Sequence, residues 1–280
     1  MVSPARAFAE HPDRTSTRTA SRLGVALVVV GVGWVAFYGP GSEQLAEARA
    51  PSCPTGMSLV DPSVVVVPDG GTTRLAHGHY CIDRYEGSLV EVAKDGEHPF
   101  SPFEMVRGRR VRAVSHSGVV PQAYLSRNEA EVACKESHKR LCTEEEWVTA
   151  CRGKRPTTYP YGDDRKPGFC NDDGKSPLQT YYPAGGADAH GFEAMNDPRL
   201  NALDGTVAHT GAHPHCHSSW GAFDMMGNLH EWIADPAGTF LGGYYLDTHI
   251  NGDGCDYKTV AHDADYHDYS TGFRCCADAK

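Results

Sequence analysis

Ten cysteines constrain this chain more than any other feature, and all ten lie after Ala50, at positions 53, 81, 134, 142, 151, 170, 216, 255, 275 and 276. An even set confined to one part of a chain reads as a framework of up to five disulfides, and disulfides persist in oxidising compartments. The competing use of cysteine, a zinc cluster, starts from a CxxC pair, and no such pair exists here.

The preceding fifty residues explain how the chain reaches such a compartment. Arg6, Arg14, Arg18 and Arg22 lie within a basic segment, 1–22, ahead of a run from Leu23 to Tyr38 that contains nothing more polar than glycine. Basic residues before an apolar stretch are the pattern of an export signal or of an anchor with its N-terminus inside. Sixteen apolar residues are short for a free-standing span, which needs about 20. The linker 39–50 ends in Ala48-Arg49-Ala50, a small-x-small site where a signal peptidase would cut. Cleaved signal and retained anchor both stay open, and either one makes 51–280 extracytoplasmic: secreted, periplasmic or tethered through residues 23–38.

Composition narrows the function. With 40% apolar and 22% charged residues, 30 Gly and 18 Pro, the sequence describes a loop-rich globular protein and excludes disorder, collagen and a polytopic membrane protein. Beyond Ala50, 21 Lys and Arg face 32 Asp and Glu. An acidic domain lacks the basic footprint that displaces counterions from nucleic acid, and it suits hard cations such as calcium. Contact with a membrane is expected only through the N-terminal segment. No repeat, low-complexity tract or long linker divides 51–280, so one domain is expected there.

Two helices announce themselves by capping boxes. In Ser126-Arg127-Asn128-Glu129 the serine caps the first turn while the glutamate reaches back, and Ala130 and Cys134 then share a face. The second starts at Thr143 with Glu146 three residues on, sets Trp147 and Cys151 one turn apart, and holds Glu144, Glu145 and Glu146 at the positive end of the helix dipole. Elsewhere Gly, Pro, Asn and Asp recur every few residues, so strands must be short, as at Tyr80–Arg84 and Gly272–Cys276.

Six motifs follow one another in order. They are Cys81-Ile82-Asp83-Arg84-Tyr85-Glu86, then Lys139-Arg140-Leu141-Cys142-Thr143-Glu144-Glu145-Glu146-Trp147, and Tyr159-Pro160-Tyr161-Gly162. Phe223-Asp224-Met225-Met226-Gly227-Asn228-Leu229-His230-Glu231-Trp232, Gly242-Gly243 and Gly272-Phe273-Arg274-Cys275 complete the series. The series resembles the formylglycine-generating enzyme family, also called the sulfatase-modifying-factor domain, over essentially all of 51–280. The resemblance implies a single disulfide-rich α+β domain with little regular structure, a variant of the C-type lectin fold. It also implies the pairs Cys134–Cys275 and Cys151–Cys255. Among the remaining cysteines, proximity in sequence pairs Cys53 with Cys81, while the partners of Cys142, Cys170, Cys216 and Cys276 stay open.

The same resemblance implies two calcium sites built from oxygen, the ligand atom calcium prefers. Asp224, the carbonyls of Gly227 and Leu229, and Glu231 would form the first. Asn171 and the Asp172 carbonyl, with Asp204 and the Thr206 carbonyl, would form the second. A competing reading needs no metal: Asn228 and Glu231 cap turns and pair with arginine.

Family oxidases hold copper between two thiolates five residues apart and use it with oxygen to convert a substrate cysteine to formylglycine. Soft sulfur suits Cu(I). Here Asp247 stands where the first cysteine is expected and Gly252 where the second is, and Cys255 is committed to Cys151. Copper-thiolate chemistry therefore has no ligands. Histidine offers another route, because His209, His213, His215 and His217 crowd one loop and His249, His262 and His267 follow Gly243. Other branches of the family bind iron through histidine, and imidazole suits iron, copper or zinc. A Ser/His/Asp triad has no nucleophile motif behind it.

Two functions are expected from this. One is an exported, calcium-stabilised member of the family that has lost the oxidase chemistry and serves as a binding or accessory module for a protein or peptide. The alternative is an oxidoreductase of the same fold, with histidine-ligated iron or copper, acting on a peptide or small thiol.

Overall fold

The structure, a computed structural model, describes residues 50–66 and 75–280. The basic segment, the apolar run and the linker up to Arg49 lie outside the described residues. From Arg49 to Lys280 the chain forms one compact unit. Among the described residues no helix is long and apolar enough to cross a membrane.

The described residues form strands of 2–6 residues and α-helices of 4–10. β1 (Met57–Val60), β2 (Tyr80–Asp83), β3 (Ser88–Ala93), β4 (Gly96–Pro99) and β5 (Val111–Val114) precede α1 (Arg127–Glu136), β6 (Arg140–Leu141) and α2 (Glu144–Arg152). After α3 (Pro177–Tyr181) and α4 (Phe192–Met195) come β7 (His230–Trp232), β8 (Phe240–Leu241), β9 (Lys258–Thr259), β10 (Thr271–Phe273) and β11 (Cys275–Asp278). They assemble as three small sheets in the orders β1-β2-β11-β6, β10-β7-β8-β9 and β4-β3-β5. Only β7 and β10 run parallel; every other pair is antiparallel. This is the α+β architecture with little regular structure that the resemblance implies, and its strands are as short as the spacing of Gly and Pro predicts.

Both capping boxes close. Ser126 Oγ accepts from Glu129 N, and Glu129 Oε2 accepts from Ser126 N at 2.9 Å. Thr143 and Glu146 repeat the exchange, again with 2.9 Å between Thr143 N and Glu146 Oε2. Such caps stabilise a helix by about 1 kcal/mol each. Gly153, at φ +79, then ends α2 in a conformation only glycine adopts freely.

Five disulfides stitch these elements, and no described cysteine is free. Cys134 joins Cys275, Cys151 joins Cys255, and Cys53 joins Cys81. The four open cysteines pair as Cys142–Cys276 and Cys170–Cys216. Cys275 and Cys276 are neighbours on β11, so their side chains point to opposite faces. One holds α1 on its side of the sheet, and the other holds the start of α2 on the opposite side. Five buried or nearly buried disulfides mark a chain that matures in an oxidising, extracytoplasmic environment. Both chain ends of the domain meet in a backbone pair, Ser52 N to Lys280 O at 2.9 Å and Lys280 N to Ser52 O at 3.1 Å.

Candidate functional site

β7 carries the centre of the site. Register sets Glu231 between Gly272 on β10 and Leu241 on β8, and its side chain is almost wholly buried. The Glu231 carboxylate accepts the Trp147 indole N–H at 2.7 Å and meets the buried Arg274 guanidinium at 2.7 Å from Nη2 and 2.9 Å from Nε. Arg274 spends its other donors on the carbonyls of Asp83 at 2.8 Å and Phe223 at 2.6 Å. The competing reading of Glu231, pairing with arginine, is thus what its side chain does.

Asn228 is the hub beside it. In the left-handed region at φ +60, it accepts from Asn171 Nδ2 at 2.9 Å and Ala208 N at 2.8 Å, and it donates to Glu86 Oε2 at 2.6 Å. Glu86 also accepts Leu229 N at 3.1 Å, so one buried carboxylate orients the Gly227–Leu229 turn. Gly227 itself (φ +74) packs so tightly that a Cβ would lie 2.2 Å from the Asn171 carbonyl oxygen. Glu86 ends the first of the ordered motifs, and no local pattern there assigns it this role.

Charge in this region is unbalanced. Burial, and then the neighbouring Asp224 and Glu231 carboxylates, raise the Glu86 carboxyl well above the ordinary range. Burial likewise lifts Asp224 to about 6, against the Gly211 N–H at 2.7 Å and the Arg274 cation. Three buried carboxylates share one guanidinium. Even so, among the described residues no three His, Cys, Asp or Glu side chains converge as a metal cage.

The second expected calcium set is brought together in part. Asn171 donates its Nδ2 to the Thr206 carbonyl at 2.9 Å, and its own carbonyl accepts from Asn228 N at 2.8 Å. Asp172 buries its side chain against Arg165 at 2.7 Å, leaving Oδ1 with no hydrogen-bond partner, whereas Asp204 is exposed.

The segment after Gly243 is closed by its own contacts. Asp247 Oδ1 accepts the backbone N–H groups of His249 and Ile250, each at 3.0 Å, and Oδ2 accepts the Tyr257 hydroxyl at 2.8 Å. Gly252 holds φ +116, and a Cβ there would lie 2.4 Å from the Asp256 carbonyl oxygen. A thiolate at that position has no room.

His230 occupies the other side of β7, buried among Phe240, Tyr244 and Tyr257 at ring-centroid distances of 4.3, 4.8 and 5.6 Å. Its Nδ1 has no hydrogen-bond partner, and burial drives the imidazole down to about 3. Its sequence context, between apolar Leu229 and the buried Glu231-Trp232 pair, was the signal for this burial.

The remaining histidines disperse. His215 stacks on Phe169, His217 lies against Phe223, His262 stacks on Tyr266, and His267 bonds Asn196. His213 faces the Gly168 carbonyl and His249 faces Asp247, while His209 is exposed.

Fold and turn define the class: an α+β sulfatase-modifying-factor domain whose Gly-Asn-x-x-Glu-Trp turn is intact. Residues 76–279 match the model of the Sulfatase-modifying factor enzyme 1-like domain, and the chain belongs to that family. Two curated relatives, from Mus musculus and Bos taurus, both carry the name Inactive C-alpha-formylglycine-generating enzyme 2. They are 30% identical over 137 residues and 31% identical over 115. Those matches take in 46% and 41% of this chain but only 39% and 32% of the relatives' own length. Among solved structures, PvdO from Pseudomonas aeruginosa is similar at TM-score 0.42 and 13% identity, covering 79% of this chain and 92% of that one. CarF is similar at TM-score 0.46 and 13% identity, covering 80% and 98%.

Proposed function

We propose that this protein is an exported binding or accessory module of the formylglycine-generating-enzyme family that lacks copper-thiolate oxidase activity and is stabilised by calcium. The observation that carries the proposal is the pair Asp247 and Gly252. Asp247 presents hard oxygen, already engaged by three donors, where soft sulfur would be needed. Gly252 has neither a thiol nor the space for one. The residues present do not fit a Cu(I) dithiolate, so no step runs through copper. The two relatives named as inactive support the same reading.

Calcium fits better. Burial and the crowding of carboxylates disfavour ionised Glu86 and Asp224 in the metal-free fold, and a hard divalent cation, which takes carboxylate and carbonyl oxygen, would relieve that penalty. Asp224 with the Gly227 and Leu229 carbonyls would hold the ion, with Glu231 joining only by releasing one of its present donors. At the second set, Asn171 and the Thr206 carbonyl are adjacent, and exposed Asp204 would close over them. Export through residues 23–38 accords with the disulfides.

Metal analysis of the purified protein, alongside a formylglycine assay, tests this reading. Bound calcium with no turnover is the expected result. Stoichiometric iron or copper with turnover would favour the histidine-ligated oxidoreductase instead.

A further inference from the structure

We infer that the open groove between the end of α2 and the Cys170–Cys216 disulfide is the docking site of this module, and that its occupant is a short acidic peptide segment bearing a proline or aromatic residue. The inference rests on the reading of the protein as a binding module and names the surface and the ligand chemistry.

The groove encloses about 570 Å³, within the range of natural ligand sites. One wall is a ladder of rings. Tyr161 meets Phe169 edge-on at 5.1 Å, and Phe169 stacks on His215 at 4.6 Å. Phe169 and His215 directly precede the two half-cystines Cys170 and Cys216, so the disulfide clamps the two loops that carry the platform. Tyr159, parallel to Tyr161 at 5.6 Å, backs it from the core. A platform held this way loses little side-chain entropy when a ligand settles on it.

Part of the groove's lining is cationic. Arg152, Lys154 and Arg155 form that part, and only Arg152 has a carboxylate partner, Asp256, among the described residues. Lys154 is exposed and lies over the Trp220 ring at 5.0 Å. Arg155 is exposed with no ion pair among the described residues. Lysine and arginine with no carboxylate partner among the described residues, together with an aromatic wall, combine two known modes of peptide recognition, the cationic capture of acidic side chains and the stacking of proline or rings in an aromatic groove.

The wider field decides against a polyanion. The protein carries a net charge of -10, and Asp163 and Asp164 stand exposed beside the groove residue Gly162. A uniformly charged oligosaccharide or nucleic acid would be repelled along most of its length. A segment with one or two carboxylates meets the cationic part of the lining and escapes that repulsion.

The test is a fluorescence-anisotropy titration of the oxidised full-length chain. The probes are labelled decapeptides with Asp or Glu flanking a Pro-Tyr pair, their Asn and Gln counterparts, and a heparin oligosaccharide. Acidic peptides are expected to bind, and their amide counterparts about tenfold more weakly. Joint Lys154→Ser and Arg155→Ser substitution is expected to cost about tenfold as well, and Phe169→Ala a comparable loss. Lys154 and Arg155 are exposed, so the joint variant should keep the wild-type melting temperature, and the free-thiol count should stay at the wild-type value in both variants. Equal binding of acidic and amide peptides, unchanged binding by the variants, or tighter binding of heparin than of every peptide overturns the proposal. Formylglycine formation is scored separately, so failure of the groove leaves the loss of oxidase activity standing, and turnover would contradict that loss without touching the groove.

Discussion

Trp147 on α2 and Glu231 on β7, 84 residues apart, are joined by a 2.7 Å hydrogen bond from the indole N–H to the carboxylate. The same carboxylate forks onto Arg274, so one buried acid ties a helix, the middle sheet and the closing segment together. Glu231→Gln would strip the buried Arg274 cation of the carboxylate hydrogen-bonded to it. Removing one partner of a buried ion pair costs about 3–5 kcal/mol. Urea unfolding of the oxidised protein should read a loss of that order, present with or without calcium. A loss below about 1 kcal/mol would mean the pair is replaceable by water.

Asp224 separates calcium binding from packing better than Glu231 does. Its carboxyl is raised to about 6 by burial, so the metal-free fold has this contribution in full below the ordinary carboxylate value and loses it as pH rises through 6. At pH 7 the penalty is about 3 kcal/mol. Chelated protein should therefore melt higher at pH 5 than at pH 7 from this group. Calcium should raise the pH 7 melt, and Asp224→Asn should raise the chelated melt while abolishing the calcium response. Asp224→Asn protein that still responds fully to calcium would place the ion elsewhere.

His230 works in the opposite sense. Its folded value, about 3, is depressed by burial below the ordinary 6.5. Stability is complete above 6.5 and falls as pH drops towards 3, by about 5 kcal/mol at most. His230→Phe, set among Phe240, Tyr244 and Tyr257, should remove that dependence. The difference between wild-type and variant unfolding free energies should widen steadily from pH 7 to pH 4. A difference flat with pH would show the imidazole to be solvated.

Putting the thiols back should not recreate the oxidase. Gly252→Cys forces a side chain onto a backbone at φ +116 with the Asp256 oxygen in its path, a strain of about 1–3 kcal/mol. The Asp247→Cys/Gly252→Cys variant should unfold at lower urea than wild type. In competition with a Cu(I) chelator it should also fail to take up one copper per chain. Stoichiometric Cu(I) uptake by a stable variant would show that the segment re-forms the family site readily.

The capping boxes at Ser126 and Thr143 were legible because a cap is written within four residues. The strand at Tyr80–Arg84 appears as Tyr80–Asp83, while Gly272–Cys276 splits into β10 and β11 because Arg274 turns inward to Glu231 between them. The ordered motifs gave the family, and they did so without geometry. Long-range partners stayed hidden. Nothing local to Glu86 announces that it orients a turn 142 residues away through Asn228. Nor does Phe169 announce a platform with His215, which exists only once Cys170 and Cys216 are joined. The obstruction at Gly252 likewise depends on a backbone angle and a carbonyl four residues on, neither of which composition records.

The proposed lack of oxidase chemistry is tested most directly by mass spectrometry of a Cys-x-Pro-x-Arg peptide incubated with the oxidised protein, copper and a reductant. The substrate cysteine is expected to survive, with conversion no faster than in the metal-only blank. Formylglycine formation that exceeds the blank and scales with protein concentration would contradict it, because Asp247 and Gly252 offer no pair of thiolates to hold the copper.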